Sequence, residues 1–537
     1  MVVINQPTGH HEAITAYVAD LNVQFKSPKP TEHSYRPAFA NLLKSLLSHL
    51  NPSNEQGRTE CGAPDYVLLR LKDNIPIGYI EAKDIGNTDL EGRNKNKEQF
   101  DRYKAALDNI IFTDYLDFHF CKEGQIIENV AIAEIKNNKI VPLPGNYDKF
   151  HRLLTVFGDA SPQRITSSDK LAQIMANKAR LMATVFEEAI SRENGDSILT
   201  GQMEAFKSFL IHDITNSEFA DLYAQTITYG MFAARMHTST DTFNRKGAAK
   251  LIPKTNPFLR NLFHTIAGLD LKESISWIVD DLAEAFRVAD TKSVLEGIGK
   301  TTKQTDPLIH FYEDFLSAYD PELRKRRGVW YTQKSVVQFI VRAVDEILQN
   351  DFDLPKGLAD NSKIRIKTDK HTGFETHKVQ ILDPATGTGT FLAETISQIY
   401  ENYKWQSGVW QSYVEQHLIP RLNGFEILMA PYAMAHLKLD WLLAETGYQH
   451  KTNQRLRIFL TNSLEEHHPD TGTLFAQFLA NEAKEANSVK KNVPVMVIIG
   501  NPPYSGESWN KGEWIAGKMQ DYKKEPGTTT SLNERNR

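Results

Sequence analysis

Two carboxylates and an amine, Asp65, Glu81 and Lys83, stand at the ends of two short apolar runs near the start of the chain. The runs, Ala63–Leu69 and Ile75–Lys83, read as paired strands, and period-two alternation puts Glu81 and Lys83 on one face. Carboxylate oxygens suit a hard divalent cation, and the metal with the lysine would activate water against a phosphodiester. A second cluster, Asp383-Pro384-Ala385-Thr386-Gly387-Thr388-Gly389-Thr390-Phe391, follows the apolar stretch at Val379–Leu382. It reads as a buried strand that breaks into a Gly-rich turn and then a helix. Gly387 and Gly389 let the backbone adopt angles that a Cβ forbids and come close to a ligand. The helix start offers unpaired N–H groups, and Asp383 adds an acceptor at the sheet edge where nucleotide-type ligands bind. The glycine spacing is not GxGxxG and no GK[ST] follows, which argues against a P-loop.

The third cluster is Asn501-Pro502-Pro503-Tyr504, at the end of the apolar run Val493–Ile499. The prolines lack N–H groups and cannot extend a strand, so the tetrapeptide forms a stiff loop. Its geometry suits a planar base with an exocyclic amino group. The tyrosine ring stacks, while the asparagine amide oxygen and a backbone carbonyl accept from the amino group.

With the glycine turn and the Asn-Pro-Pro-Tyr loop in this order, the chain resembles the amino-methylating DNA methyltransferases of the N6-adenine class. The resemblance implies S-adenosylmethionine as cofactor, held by Asp383, Pro384, Ala385, Gly387, Gly389 and Phe391, with Asn501, Pro502, Pro503 and Tyr504 as the catalytic loop. Gly328-Val329-Trp330-Tyr331-Thr332 resembles the segment that packs over the methionine part, with Tyr331 and Thr332 as contacts and Gln333 where proline is common. Glu426, ending the next strand, would accept from the ribose hydroxyls, and Asn462, ending a third, would lie near the cofactor's adenine. The first two elements around Asp65 and Glu81-x-Lys83 resemble the PD-(D/E)xK nuclease fold, and Gln99 with Tyr103 resembles its RecB-like branch. That likeness implies Mg2+ on Asp65 and Glu81, with Glu32 as an additional ligand.

The elements that must position these groups follow from periodicity. Apolar residues recur helically within Glu32–Leu50, Leu171–Ile190, Met203–Ile214 and Phe219–Met236. Strands at Gln380–Asp383, Leu422–Ile427, Arg457–Thr461 and Val495–Ile499, with helices between, imply a parallel sheet. The expected fold class is α/β: a PD-(D/E)xK nuclease domain at 1–155, a helical spacer at 156–304, and a partial Rossmann-like S-adenosylmethionine-dependent methyltransferase sheet at 305–537. The polar stretches Gly86–Gln99 and Gly357–His377 read as a loop and as an excursion before the sheet. Gly297-Ile298-Gly299-Lys300-Thr301 lacks the first glycine and preceding strand of a P-loop, so no helicase motor is expected. Lys325, Arg326 and Arg327 read as a solvated cluster within reach of a DNA phosphate.

The whole chain sets outer bounds. With 537 residues, 41% apolar and 24% charged, it has the composition of a globular protein of two or three domains. Two cysteines exclude a disulfide scaffold and a cysteine-rich zinc site. His10 and His11 read as solvent-exposed tail residues, because no third ligand stands at metal spacing in the sequence. Without a signal sequence or spanning segment, a cytoplasmic protein is expected. The net charge of −5 gives no bulk attraction to DNA, so contacts to double-stranded DNA would come from local basic surfaces.

The family's strand order, 3-2-1-4-5-7-6, leaves only its first four positions for this chain. A hydrophobic edge strand would result, the expectation being a truncated restriction–modification polypeptide without target recognition. Methylation of RNA or a protein amide, a non-catalytic remnant and a nuclease-only fragment remain as alternatives.

Overall fold

The computed structural model describes residues 9–27, 31–54, 63–72, 75–160, 164–192, 197–236, 238, 243–252, 260–263, 273–297, 307–320, 332–366, 373–449, 454–465, 474–502, 517 and 520. The chain divides into two compact units. One comprises 1–196, 234–251 and 264–319; the other comprises 197–233, 252–263 and 320–537. The helical region at 156–304 is thus shared between them. Among the described residues no helix is long and apolar enough to cross a membrane.

In the first unit, six strands form one sheet in sequential order: β1 (Leu50–Ser53), β2 (Tyr66–Arg70), β3 (Pro76–Ala82), β4 (Asn109–Thr113), β5 (Asp117–Lys122) and β6 (Gln125–Ala131). Only β3 and β4 run parallel, and the crossover between them contains helix α3 (Lys97–Ala106). Two further strands, β7 (Ala133–Lys136) and β8 (Lys139–Pro142), make a hairpin. Helices α1 (Gly9–Phe25), α2 (Glu32–Leu46) and α4 (Tyr147–Gly158) contribute apolar stripes to the sheet's core. Phe39, Leu42 and Leu43 of α2 meet Tyr66, Ile80, Ile111, Phe118 and Phe150 there, as the helical periodicity predicts. A capping box of Thr31 and Ser34 starts α2.

The neighbouring residues of β3 face helices α5 (Ser168–Ser191) and a later helix, Glu273–Val288. Tyr79 donates its hydroxyl to Asp281 at 2.6 Å, and its ring lies edge-on to Trp277. Lys178 donates to the same Asp281 carboxylate and to the Ala106 carbonyl. Charge and hydroxyl thus satisfy one another inside the unit, which a lone buried carboxylate could not sustain.

In the second unit, β9 (Lys363–Ile366) and β10 (Phe374–His377) form a hairpin within the polar stretch read as an excursion. The main sheet contains β11 (Gln380–Asp383), β12 (Leu422–Glu426), β13 (Arg457–Leu460) and β14 (Val495–Ile498), all parallel, in the order β13-β12-β11-β14. In chain order this is 3-2-1-4, the arrangement expected from the strand–helix alternation and the resemblance. Leu382, Phe425 and Phe459 from three strands pack with Ala486 and Val489 of the helix Leu474–Asn492. Ile498 on β14 is 68% exposed. The α/β class of the sequence reading is the observed one.

Candidate active sites

Both glycines of the turn after β11 take positive φ, +54° at Gly387 and +80° at Gly389. Gly389 caps the helix Thr390–Tyr400 in the left-handed region. A Cβ there would also approach Ala435 to 3.2 Å, whereas a Cβ on Gly387 would meet nothing within 4 Å. Space and conformation both require glycine at 389, conformation alone at 387.

Asp383 ends β11 fully buried. One carboxylate oxygen accepts from the Ala385 amide at 3.1 Å, and the other has no hydrogen-bond partner. Burial, reinforced by the charge of Glu426, raises its carboxyl to about 7. Glu426, ending β12, accepts from the amides of Gly387 at 2.7 Å and of Ile427 and Leu428 at 2.9 Å. Burial raises its carboxyl as well. Asn462, just beyond β13, is buried and accepts from the Leu464 amide. The carbonyl of Pro384 accepts from Ser463 at 2.5 Å, which joins the turn to this third strand end. Lys490 donates to the carbonyls of Asn462 and Glu465 and fixes the same loop. Phe391 is buried in the first turn of the helix that follows Gly389, while Ala385 and Pro384 are half-buried.

The fourth strand closes the site. Gly500 lies so near Asp383 that a Cβ would fall 2.5 Å from its Oδ1. The next residue, Asn501, donates Nδ2 to Thr332 Oγ1 at 2.9 Å across 169 residues of sequence. Two residues singled out from separate motifs are therefore in direct contact. Pro502 follows Asn501; Pro503, Tyr504, Tyr331 and the Lys325–Arg327 cluster lie outside the described residues. An orphaned carboxylate oxygen on Asp383, a helix start and a glycine-opened turn form a donor–acceptor set that fits a nucleoside with a charged amino-acid tail.

In the first unit, Asp65 and Glu81 are each 3% exposed. Lys83 Nζ donates to Glu81 Oε1 at 2.6 Å and to Gln99 Oε1 at 3.0 Å. Gln99 in turn donates to Glu81 at 2.9 Å and to the Tyr103 hydroxyl at 3.3 Å. Glu81 and Lys83, placed together by period two, and Gln99 and Tyr103, implied by the RecB-like resemblance, are thus one hydrogen-bonded group. Asp65 accepts from the Ala82 amide at 2.7 Å. Its other oxygen accepts from Arg36 at 2.5 Å, and Arg36 also donates to Glu32 at 2.6 Å. Burial first, then the charges of Glu81 and Glu32, raises Asp65 to about 8; burial also raises Glu81, against the pull of Lys83.

Arg36 is the neighbour of this group that the sequence reading missed. Its place four residues after Glu32 on a helix was the available signal. Its guanidinium lies between Glu32 and Asp65, and the three carboxylates do not gather their ligand atoms within 4.8 Å of one another. Mg2+ binds through one or two carboxylates and keeps several waters, so Asp65 with the unpartnered Glu81 Oε2 remains a fitting pair.

The reading of His10 and His11 as tail residues is corrected. Both belong to α1, and both direct Nε2 at Asp148 Oδ1, at 2.8 and 3.0 Å. Asp148 was invisible to spacing because the fold brings it from α4.

Residues 303–535 match the family model described as N-6 DNA Methylase. No curated protein matches the chain. Among solved structures, the chain is similar to DrdV in a cryo-electron-microscopy complex with DNA, with 22% identity and a TM-score of 0.40, over 96% of this chain and 46% of that one. It is similar to a nuclease-deletion mutant of the Type ISP restriction-modification enzyme LlaGI with a DNA substrate mimic (19%, TM-score 0.44, 72% of this chain and 29% of that one). It is also similar to the type IIG restriction endonuclease BpuSI (12%, TM-score 0.32, 97% and 48%). The chain spans less than half the length of each of these structures.

Proposed function

We propose that the second unit transfers a methyl group from S-adenosylmethionine to the N6 amino group of adenine in double-stranded DNA. The first unit is, in the same proposal, a Mg2+-dependent DNA endonuclease, both acting in the cytoplasm as a restriction–modification polypeptide. The observation that carries the methylation reading is the contact of Asn501 with Thr332, beside Asp383 and within the N-6 DNA Methylase match.

With its Nδ2 engaged by Thr332, Asn501 offers its amide oxygen to the adenine amino group, together with the Pro502 carbonyl. A flipped-out base would stack on Tyr504. Accepting both amino hydrogens drives the nitrogen toward tetrahedral geometry and frees its lone pair. S-adenosylmethionine would supply an electrophilic methyl and leave as S-adenosylhomocysteine, with the amino proton passing to solvent; the turn at Gly387 and Gly389, with Asp383, Glu426 and Asn462, would hold it. Catalysis is then chiefly alignment. In the first unit, Asp65 and Glu81 would hold Mg2+, while Lys83, fixed by Glu81 and Gln99, positions the attacking water.

Tritium transfer from labelled S-adenosylmethionine to mixed-sequence duplex DNA tests the main reading. Incorporation at adenine N6 that is lost in Asn501→Ala is expected; label found instead in RNA or protein, or unchanged in the variant, would overturn it. Mg2+-dependent nicking of plasmid, lost in Lys83→Ala, tests the nuclease.

A further inference from the structure

In the first unit α1 and α4 begin side by side, and their first turns present three side chains to one point. His10 Nε2 and His11 Nε2 lie 2.8 and 3.0 Å from the same oxygen of Asp148. These three atoms all fall within 4.8 Å of one another, the only such group of His, Cys, Asp and Glu among the described residues. We propose that His10, His11 and Asp148 form a zinc site that joins the start of α1 to the start of α4.

The geometry is close to that of a loaded site. Ligand atoms about 2.0–2.2 Å from a tetrahedral zinc stand roughly 3.3–3.5 Å apart. The observed separations need only a small expansion. Both rings are also held from behind. His10 stacks on His151 with centroids 4.2 Å apart and planes at 9°, and the Tyr147 ring meets His11 edge-on at 5.4 Å. Tyr147 is itself buried, so the packing that orients the imidazoles is anchored in the core. Asp148 lies in the first turn of α4, where the helix dipole favours its negative charge, and it is exposed.

Two imidazoles and one carboxylate leave an open position for water, and imidazole nitrogen selects zinc over magnesium. Binding replaces the hydrogen that each Nε2 directs at the carboxylate; that proton moves to Nδ1 or to solvent. The site thereby closes a cross-link between segments 137 residues apart. It stands independently of the methyltransferase and nuclease readings.

The test is titration of the metal-free full chain with ZnCl2 against a chromophoric chelator, beside His10→Ala/His11→Ala and Asp148→Asn. These three side chains are partly or largely exposed, so the variants keep the fold; their far-ultraviolet circular dichroism checks this. The expected result is one zinc in the wild type, at least about tenfold weaker in either variant, with Mg2+ unable to compete. A Co2+-loaded wild type should show tetrahedral d–d absorption that the variants lack. Equal zinc affinity in wild type and variants, or a Co2+ spectrum unchanged by the substitutions, would overturn the site.

Discussion

The Gly387 amide donates to Glu426 Oε2 at 2.7 Å, joining the turn after β11 to the end of β12. The amides of Ile427 and Leu428 hold the other oxygen. The carboxylate expected to receive ribose hydroxyls is therefore already the organiser of two backbone segments. Removing it would leave three amide donors without their acceptor in a buried place. Glu426→Ala should cost about 2–4 kcal/mol of stability, and Glu426→Gln, which retains one oxygen, about half that. Urea denaturation of each variant measures the difference; equal losses would show that the amides find other acceptors.

The two turn glycines separate conformation from space. Gly387→Ala meets only the penalty of positive φ, about 1 kcal/mol. Gly389→Ala meets the same penalty plus a 3.2 Å approach to Ala435 and should lose about 2 kcal/mol or more. Comparing their urea midpoints checks the order; a larger loss at Gly387 would contradict it.

Stability should depend on pH through Asp383. Its native carboxyl, raised by burial to about 7, stays protonated where the unfolded chain's, near 3.9, has already ionised. Between those values the native state holds the extra proton, so stability is fully present below the unfolded pKa, falls as pH rises, and levels off above about 7. Asp65 adds a similar fall extending to about 8. Asp383→Asn should flatten the decline between about pH 4.5 and 7 relative to wild type. A slope identical in both proteins would assign it to other groups.

Arg36 and Mg2+ should compete for the same carboxylates. Arg36→Ala leaves Asp65 and Glu32 without the donor they share and should cost about 1–3 kcal/mol in the absence of metal. Millimolar Mg2+ should restore more stability to this variant than it adds to the wild type. Thermal melts with and without MgCl2 check this; equal metal shifts would separate Arg36 from the cation site.

Much of this arrangement was legible in one dimension. Alternation of apolar strands and helices implied the parallel sheet, and glycine and proline punctuation marked where β11 and β14 break. Period-two placement correctly put Glu81 and Lys83 together, since adjacent same-face positions on a strand depend on local geometry alone. What stayed hidden depends on distant partners. Asp148 meets His10 only because α1 and α4 pack against each other, and Ser463 reaches Pro384 only because β13 lies two strands away from β11. Arg36 was hidden differently, as an ordinary charged helix residue whose burial beside Asp65 no periodicity announces.

Gly500 carries one more implication. Because its missing Cβ makes room for Asp383, the end of β14 and the end of β11 beside it form a matched pair of castings. A protein engineer who grafts the loop onto another sheet must move five residues, beginning with the glycine, and choose a recipient whose neighbouring strand ends in a short acid. Grafting the four named residues behind a residue that carries a Cβ would press that atom onto the acid.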